Sequence, residues 1–328
     1  MELNLKQKKI LKLLSINCRF SNKDIGKSAG MSEDAVAYQI DKLLNHEKIA
    51  EFNVQFFYPM IDYTSYHVWV RLKSGKIEEV KKINEVHSIN SSHGKYDFQI
   101  LVFAKSKRNF IEVLKKIKSN VSIQKIAHSK LVGIYKSFSN IIPQIDVSVK
   151  IPKNSKRFEY ALDNEKYPLP SLDKKIKLDA VDNKIINELM KNPRASFQKL
   201  AEATGLNHET IRYRMRKFVK ENFITNFGLI HDFSKYGSYV NYFLIDLNKK
   251  KLDRKKFEEF LNSTRNIFYC AELEGKYNCI VYISTKDPKE LGEIYGKFRE
   301  VLGDSIKEID MLFMDKILKY EQFPKEIL

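Results

Sequence analysis

The sequence predicts an α+β chain in which a three-helix domain followed by a β-α-β-β-α-β domain occurs twice. Two observations predict it. First, the chain matches itself at an offset of 175 residues: Leu3 falls on Leu178, Ile10 on Ile185, Leu14 on Leu189, Arg19 on Arg194, Ser21 on Ser196, Gly30 on Gly205, Val36 on Ile211, Tyr38 on Tyr213 and Ile49 on Ile224. The match resumes at an offset of 181, where Gly94-Lys95-Tyr96-Asp97 meets Gly275-Lys276-Tyr277-Asn278. A period this long is too large for a solenoid repeat and marks a duplicated two-domain module. Second, within each copy the apolar pattern changes from helical spacing to strict alternation.

Residues 5–49 read as three helices. Ile10, Leu11 and Leu14 form an apolar stripe at helical spacing. Ser21-Asn22-Lys23-Asp24 is a capping-box pattern that opens a short second helix, and Gly30 ends it, as glycine does at helix C-termini. Ser32 caps a third helix with Val36, Ile40, Leu43 and Leu44 on its inner face. The second copy repeats each element. Val181, Ile185, Ile186 and Leu189 line its first helix; Ser196 caps the second, which carries Leu200 and Ala201 and ends at Gly205. Asn207 caps the third, which buries Ile211, Met215, Phe218 and Val219.

The alternating segments follow. Glu51–Tyr58 and Thr225–Asp232 read as connecting strands, and Tyr66–Leu72 and Tyr239–Leu247 as half-buried strands. Amphipathic helices come next, Ile77–Val86 and Lys255–Ser263. Two strands then flank each Gly-Lys-Tyr turn: Ser88–Ser92 with Tyr96–Phe103, and Ile267–Leu273 with Tyr277–Ile283. A helix (Arg108–Lys118; Pro288–Val301) and a last strand (Ile123–Tyr135; Ile306–Lys319) close each copy. This order is the ferredoxin-like split βαβ arrangement. The predicted domains are therefore 1–50 and 176–225 (three helices) and 51–138 and 226–328 (ferredoxin-like), with 139–175 between the copies. That connector holds Pro143, Pro152, Pro168 and Pro170, half of the eight prolines, and reads as extended.

Composition bounds the function. A hydrophobic content of 43% argues against disorder, and 58 Lys and Arg against 41 Asp and Glu give a formal charge of +17. Such an excess favours polyanions, nucleic acid ahead of anionic membrane, although solvated lysine-rich surfaces account for part of it. Cys18, Cys270 and Cys279 form no CxxC pair, so no disulfide scaffold or zinc knuckle is expected. Met1–Leu14 alternates Lys with Leu and Ile and lacks the apolar segment of a leader peptide. No uncharged apolar stretch approaches the ~20 residues that a bilayer needs, so a soluble cytoplasmic protein with no membrane partner is expected.

Three helices followed by a ferredoxin-like domain with a Gly-x-Tyr-Asp turn resemble the Lrp/AsnC family of leucine- and asparagine-responsive regulators, here of archaeal type. The residues that carry the likeness are Leu178 to Ile186 for the opening helix, Arg194-Ala195-Ser196 for the turn before helix two, and Leu200 to Leu206 for the turn before the recognition helix. Arg212 to Phe218 resembles the Arg-rich recognition helix, Asn222-Phe223-Ile224 its end, and Gly275-Lys276-Tyr277 the effector-domain motif. The sequence departs from the family in carrying the module twice and in having Asn278 where an acidic residue is expected. The resemblance implies a transcription regulator with winged helix-turn-helix domains that bind double-stranded DNA. It also implies ferredoxin-like domains that pair sheet to sheet and small ligands, often amino acids, near the turn. Two modules in one chain then predict an intramolecular pseudo-dimer, with homo-oligomers beyond it.

The candidate DNA-binding residues are Arg194, Ser196, Asn207, His208, Glu209, Thr210, Arg212, Tyr213, Arg214, Arg216 and Lys217. With Ile211, Met215 and Phe218 inward, Glu209, Thr210, Tyr213, Arg216 and Lys217 point outward and Arg212 and Arg214 flank that face. His208–Lys217 sums to +3 (four basic, one acidic), and arginine suits guanine and phosphate contacts. The matching stretch Glu33–Lys42 sums to −2 (three acidic, one basic), with Ala37, Gln39, Asp41 and Lys42 in place of Arg212, Arg214, Arg216 and Lys217. Phosphate would repel that surface, so the first unit is expected to keep its fold with weak or no base readout.

Gly94, Tyr96 and Asp97 with Gly275, Tyr277 and Asn278 are candidates for an amino-acid-like effector. Asp97 can hold an ammonium and Asn278 lacks the charge. A turn glycine and a packing tyrosine explain the same residues, and ligand control and ligand-free action stand as equal alternatives. His87 and His93 lack a third ligand at metal spacing, and no phosphate loop, HExxH or GxSxG occurs, so no metal, cofactor or catalytic residue is expected. Two alternatives remain: a protein-interaction regulator that does not bind DNA, and a tetrapyrrole enzyme of the siroheme decarboxylase type. The latter's usual Phe-Pro-Leu segment is absent, with Asn17-Cys18-Arg19-Phe20 and Asn192-Pro193-Arg194-Ala195 standing there.

Overall fold

The computed structural model describes residues 2–136, 142–152, 172–321 and 323. They fall into two units, each assembled from both copies. The first takes the chain up to Ile61 and the later stretch that ends at Tyr236; the second takes the stretches that begin at Asp62 and at Gly237. The duplication has sorted by domain type, with both three-helix domains in one unit and both ferredoxin-like domains in the other.

In the first unit, α1 (Leu5–Ile16), α2 (Asn22–Ala29) and α3 (Glu33–Asp41) form the first domain. Leu11, Leu14, Val36 and Leu43 lie fully buried together. Beyond the described connector, α6 (Ala180–Lys191), α7 (Phe197–Thr204) and α8 (His208–Lys220) form the second. Gly30 (φ 70°) and Gly205 (φ 69°) end α2 and α7 in the left-handed conformation, which costs glycine least. After Asp41 the third helix of the first copy widens into a π-helical turn, Lys42–His46. The Asp41 carboxylate holds that turn, accepting from Asn45 Nδ2 at 2.8 Å and lying 3.0 Å from His46 Nε2.

The two connecting strands, β1 (Ala50–Phe56) and β6 (Ile224–His231), pair with each other, antiparallel. Asn53 faces Gly228, which is its own counterpart 175 residues on. A pseudo-twofold axis therefore passes through this pair. The connector departs from the extended spacer expected of it. Ile142 and Ile145 are buried in the core of the first domain, and Lys12 Nζ holds Asp146 at 2.7 Å and the Val147 carbonyl at 2.8 Å. At its far end the Ile176 N–H donates to the Met60 carbonyl. Pro168 and Pro170 lie outside the described residues.

In the second unit, β2 (Thr64–Ser74), α4 (Glu78–Lys81), β3 (Val86–Gly94), β4 (Phe98–Ala104), α5 (Lys107–Asn120) and β5 (Ser122–Lys136) form one ferredoxin-like domain. Its counterpart comprises β7 (Tyr239–Leu247), α9 (Arg254–Ser263), β8 (Ile267–Gly275), β9 (Cys279–Thr285), α10 (Pro288–Leu302) and β10 (Ile306–Tyr320). Helix α4 is shorter than the Ile77–Val86 expected. The buried residues of this stretch, Ile77, Val80, Ile83 and Val86, are three apart, and beyond α4 the chain continues in i to i+3 turns, with Ile83 N–H bonded to Val80 O and Val86 N–H to Ile83 O.

The eight strands close into one barrel in the order β10-β3-β4-β2-β5-β8-β9-β7. Four neighbouring strands come from each copy, and the seams are β5 with β8 and β3 with β10, both antiparallel. The predicted pairing of the ferredoxin-like domains thus occurs within the chain, and it leaves no free sheet edge. α4 and α5 cover one sheet through Val80, Phe110 and Val113; α9 and α10 cover the other through Phe257, Leu291 and Phe298. The interior is filled by side chains, among them buried Trp69, Tyr242 and Tyr277.

Candidate nucleic-acid interface and turn motifs

Helix α8 buries Ile211, Met215, Phe218 and Val219 and turns its other face to solvent. Asn207 Oδ1 caps it by accepting the Thr210 N–H at 2.7 Å, and Ser196 Oγ caps α7 by accepting the Lys199 N–H at 3.1 Å. Ser196 and Asn207 thus act as helix caps that fix the ends of α7 and α8. His208, Glu209, Tyr213 and Arg216 are exposed, and Thr210, Arg212 and Lys217 are half-buried. The Glu209 carboxylate lies 3.2 Å from Arg212 Nη1 and 3.8 Å from His208 Nδ1, an exposed cluster that phosphate can reorganise.

Two of the candidate arginines have other work. Arg214 reaches back to helix α6, its Nη1 lying 2.8 Å from Asp179 Oδ2 and 3.0 Å from Asp182 Oδ1. Asp179 is the N-cap of α6 and Asp182 is fully buried, the two forming a capping box. The Asp182 backbone N–H, and then Arg214, hold the Asp179 carboxyl below the usual carboxylate range. Arg214 therefore clamps the third helix onto the first. The first copy has the same clamp without charge: Gln39 Oε1 accepts from Gln7 Nε2 at 3.1 Å, and Gln7 shares a capping box with Asn4. Asn4, Gln7 and Gln39 stand 175 residues before Asp179, Asp182 and Arg214. The exchange of Arg214 for Gln39 is thus a substitution of a clamp, and the contrast of +3 with −2 overstates the charge offered to DNA.

Arg194 is likewise engaged within the chain. Its Nη2 donates to the Phe20 carbonyl at 3.1 Å and to Asn22 Oδ1 at 2.9 Å, and its guanidinium lies over Phe52. Arg19, its counterpart, does the reverse. It donates to the Pro193 carbonyl at 2.7 Å and the Ala195 carbonyl at 2.8 Å, over Phe197 and Phe227. Each copy sends one arginine into the turn of the other, so this pair fastens the two three-helix domains across the pseudo-twofold axis. One bond of the arrangement is unmatched. Cys18 N–H donates to the Phe227 carbonyl at 2.8 Å, and Pro193, at the matching position, has no N–H.

On α3 the face that matches α8 carries exposed Glu33, Asp34 and Asp41 around exposed Tyr38. Tyr38 and Tyr213, counterparts in the repeat, are 64% and 66% exposed, so the two third helices present a tyrosine at the same place, among acidic residues on α3 and among basic ones on α8.

The turn motifs lie on the barrel seams. A Cβ on Gly94 would come within 2.7 Å of the Met311 carbonyl oxygen, and one on Gly275 within 2.4 Å of the His128 carbonyl oxygen. Both are in positive φ, at 134° and 150°. These glycines are required because another strand's backbone crosses them closely. Tyr96 and Tyr277 are buried, and their hydroxyls meet at 3.1 Å. Asp97 Oδ2 accepts the Leu72 N–H at 2.9 Å, and its Oδ1 lies 3.5 Å from Arg71 Nε. Asn278 Oδ1 accepts the Leu247 N–H at 2.7 Å while its Nδ2 donates to Asp246 Oδ1 at 3.0 Å. Asp97 thus has an internal cation and amide, which weakens its reading as a holder of an effector ammonium. Asn278 follows from its neighbour, since Asp246 stands where the first copy has Arg71 and a second carboxylate would repel it.

Sequence reasoning missed Arg19, Gln7, Gln39, Asp182, Arg71 and Asp246. For the clamps a signal was present, because Gln7 with Gln39 becomes Asp182 with Arg214 and Arg71 with Asp97 becomes Asp246 with Asn278, each pair changing together between the copies, whereas Arg19 and Arg194 are the same residue type and give no such signal. Among the described residues no group of His, Cys, Asp and Glu could hold a metal ion, and no helix is long and apolar enough to cross a membrane.

Comparison with known proteins matches this construction. The AsnC-type helix-turn-helix domain is found twice, at residues 6–44 and 178–218. An HTH-type transcriptional regulator of Pyrococcus abyssi is 28% identical over 149 residues, spanning 44% of this chain and 97% of its own length. The proline dehydrogenase transcriptional activator of Rhizobium radiobacter is 24% identical over 136 residues, 40% of this chain and 81% of its own. Each relative therefore corresponds to a single module. A siroheme decarboxylase structure superposes with a TM-score of 0.60 over 97% of this chain and 94% of that one at 10% identity, a likeness of fold with both modules in place. The chain thus carries the AsnC-type helix-turn-helix domain once in each of its two copies, and over a single module it is similar to HTH-type transcriptional regulators.

Proposed function

We propose that this chain is a transcription regulator that reads double-stranded DNA with α8, the third helix of its second copy, in the major groove. The observation that carries the reading is the solvent face of α8, where exposed Tyr213 and Arg216 are flanked by Arg212 and Lys217 on a helix capped by Asn207. The names of the relatives support the same class. The first copy serves as a pairing element that fixes the second through β1 and the Arg19 and Arg194 exchange. The acidic face of α3 keeps it from phosphate. With one reader per chain, a palindromic operator takes two chains, with half-sites about one helical turn or a multiple of it apart.

Arg212→Ala with Arg216→Ala should abolish specific duplex binding in a gel-shift titration, with the salt slope shallower by ~0.9 for each phosphate contact removed. Glu33→Ala with Asp34→Ala and Asp41→Ala should leave binding unchanged or tighter. The reading fails if the acidic triple variant loses DNA while the arginine variant keeps it. Amino-acid control loses its main support once Asp97 is engaged by Arg71. A Soret band on mixing the purified chain with siroheme would favour the enzyme reading instead.

A further inference from the structure

Lys95 and Lys276 are the same residue of the two copies, and both reach one carboxylate. Glu308 on β10 meets Lys95 Nζ at 2.7 Å through Oε1 and Lys276 Nζ at 2.6 Å through Oε2. Lys95 Nζ also reaches Asp310 Oδ2 at 2.6 Å, and the Tyr277 hydroxyl donates to that same oxygen at 2.6 Å. The two ammonium groups lie 5.9 and 5.4 Å from the centre of the Tyr277 ring. Both ammonium groups thus converge on the Glu308 carboxylate, one at each oxygen, and Lys95 is shared with Asp310.

The barrel's own symmetry shows that this acid is one-sided. Leu312 lies opposite Gly94 on one seam and Ser129 opposite Gly275 on the other, so Leu312 and Ser129 are counterparts. Counting back along both strands, Glu308 and Asp310 on β10 match Lys125 and Ala127 on β5. The second copy supplies the carboxylates, the first supplies none, and Lys276, whose own seam offers Lys125, joins Lys95 on Glu308. We propose that Lys95 and Lys276 form a carboxylate-binding site shared by the two copies, and that the chain fills it with Glu308, a ligand built into β10. A free aliphatic monocarboxylate takes that place only when the Glu308 side chain is removed. The inference is independent of the DNA reading.

The test is a thermal melt of the full chain with propionate, which has the atoms of a glutamate side chain beyond Cα, against sodium chloride and propionamide at matched ionic strength. The wild-type midpoint is expected to be the same in all three. Glu308→Ala should melt lower by about 2–4 °C, the shift for loss of a modest interaction in a domain of this size. Propionate, and neither control, should restore it. Glu308→Ala combined with Lys276→Met should lose the restoration. Glu308→Thr, which suits a strand better, is the second variant and should be rescued in the same way. The proposal is overturned if propionate raises the wild type as much as the variants, if neither single variant responds to propionate beyond chloride, or if the Lys276→Met combination is rescued undiminished.

Discussion

Removing the Arg214 guanidinium would leave Asp182, fully buried beneath it, without its cationic partner, Arg214 being the one that the described residues supply. Arg214→Ala should therefore destabilise the second three-helix domain by on the order of 3 kcal/mol, as breaking a buried pair does. Arg214→Gln together with Asp182→Gln would copy the neutral clamp of Gln7 and Gln39, and should recover most of that loss. Urea unfolding of both variants checks this; an Arg214→Ala chain as stable as the wild type would mean that the clamp does not bear on stability, and equal destabilisation of the two would mean that the neutral pair cannot replace it. The cysteines give a second residue-scale outcome. Burial pushes the Cys18 thiol up to about 12 and raises Cys270 well above its ordinary value. The native chain should thus resist alkylation at pH 8, with iodoacetamide labelling all three cysteines only in denaturant. Rapid labelling of Cys18 in the folded chain would contradict its burial.

At the scale of elements, the seams depend on backbone contact that a methyl group would block. Gly275→Ala should weaken the β5 with β8 seam more than Gly94→Ala weakens the β3 with β10 seam, since its Cβ meets both the His128 carbonyl at 2.4 Å and Ser129 at 2.7 Å. Thermal midpoints of the two variants would rank them, and the reverse order would refute the argument. The elements themselves were legible in the sequence because helical and strand periodicity is a local property. Val36, Ile40 and Leu43 announce a helix face whatever lies beyond it. The partners of the two exchanged arginines were not legible, because they are joined across a separation of about one whole copy. Nothing near Arg194 in sequence says that its guanidinium ends on Phe20 and Asn22. The π-helical turn at Lys42–His46 was hidden for another reason, since it depends on side-chain bonds to Asp41 and leaves the apolar pattern intact.

For the whole molecule, acid should act on the barrel through Glu308. Its bonds to Lys276 and Lys95 hold its carboxyl at about 2, below its ordinary value, and Asp310, Tyr96 and Tyr277 are the other titratable groups of that cluster. A depressed carboxylate pKa contributes stability that is fully present above the unfolded value, ~4.3, and is lost as pH falls toward about 2. The difference in melting temperature between wild type and Glu308→Ala should therefore be constant near pH 7 and shrink between pH 4 and pH 2, an order-of-magnitude window set by those two values. A difference that persists unchanged at the acid end would remove Glu308 as its source.

The strand pairs β1 with β6, β5 with β8 and β3 with β10 all join one copy to the other inside a single covalent chain. A dimer of separate subunits comes apart on dilution, because its association is second order. Here the association is unimolecular, so its extent does not vary with the amount of protein. The tether also frees the copies from sameness. In a symmetric pair every substitution appears on both sides at once, whereas here Gln39 and Arg214, or Asp246 and Arg71, could change on one side alone and be tested there. The price of that freedom is that no second, identical face remains to compensate if the basic face of α8 is lost.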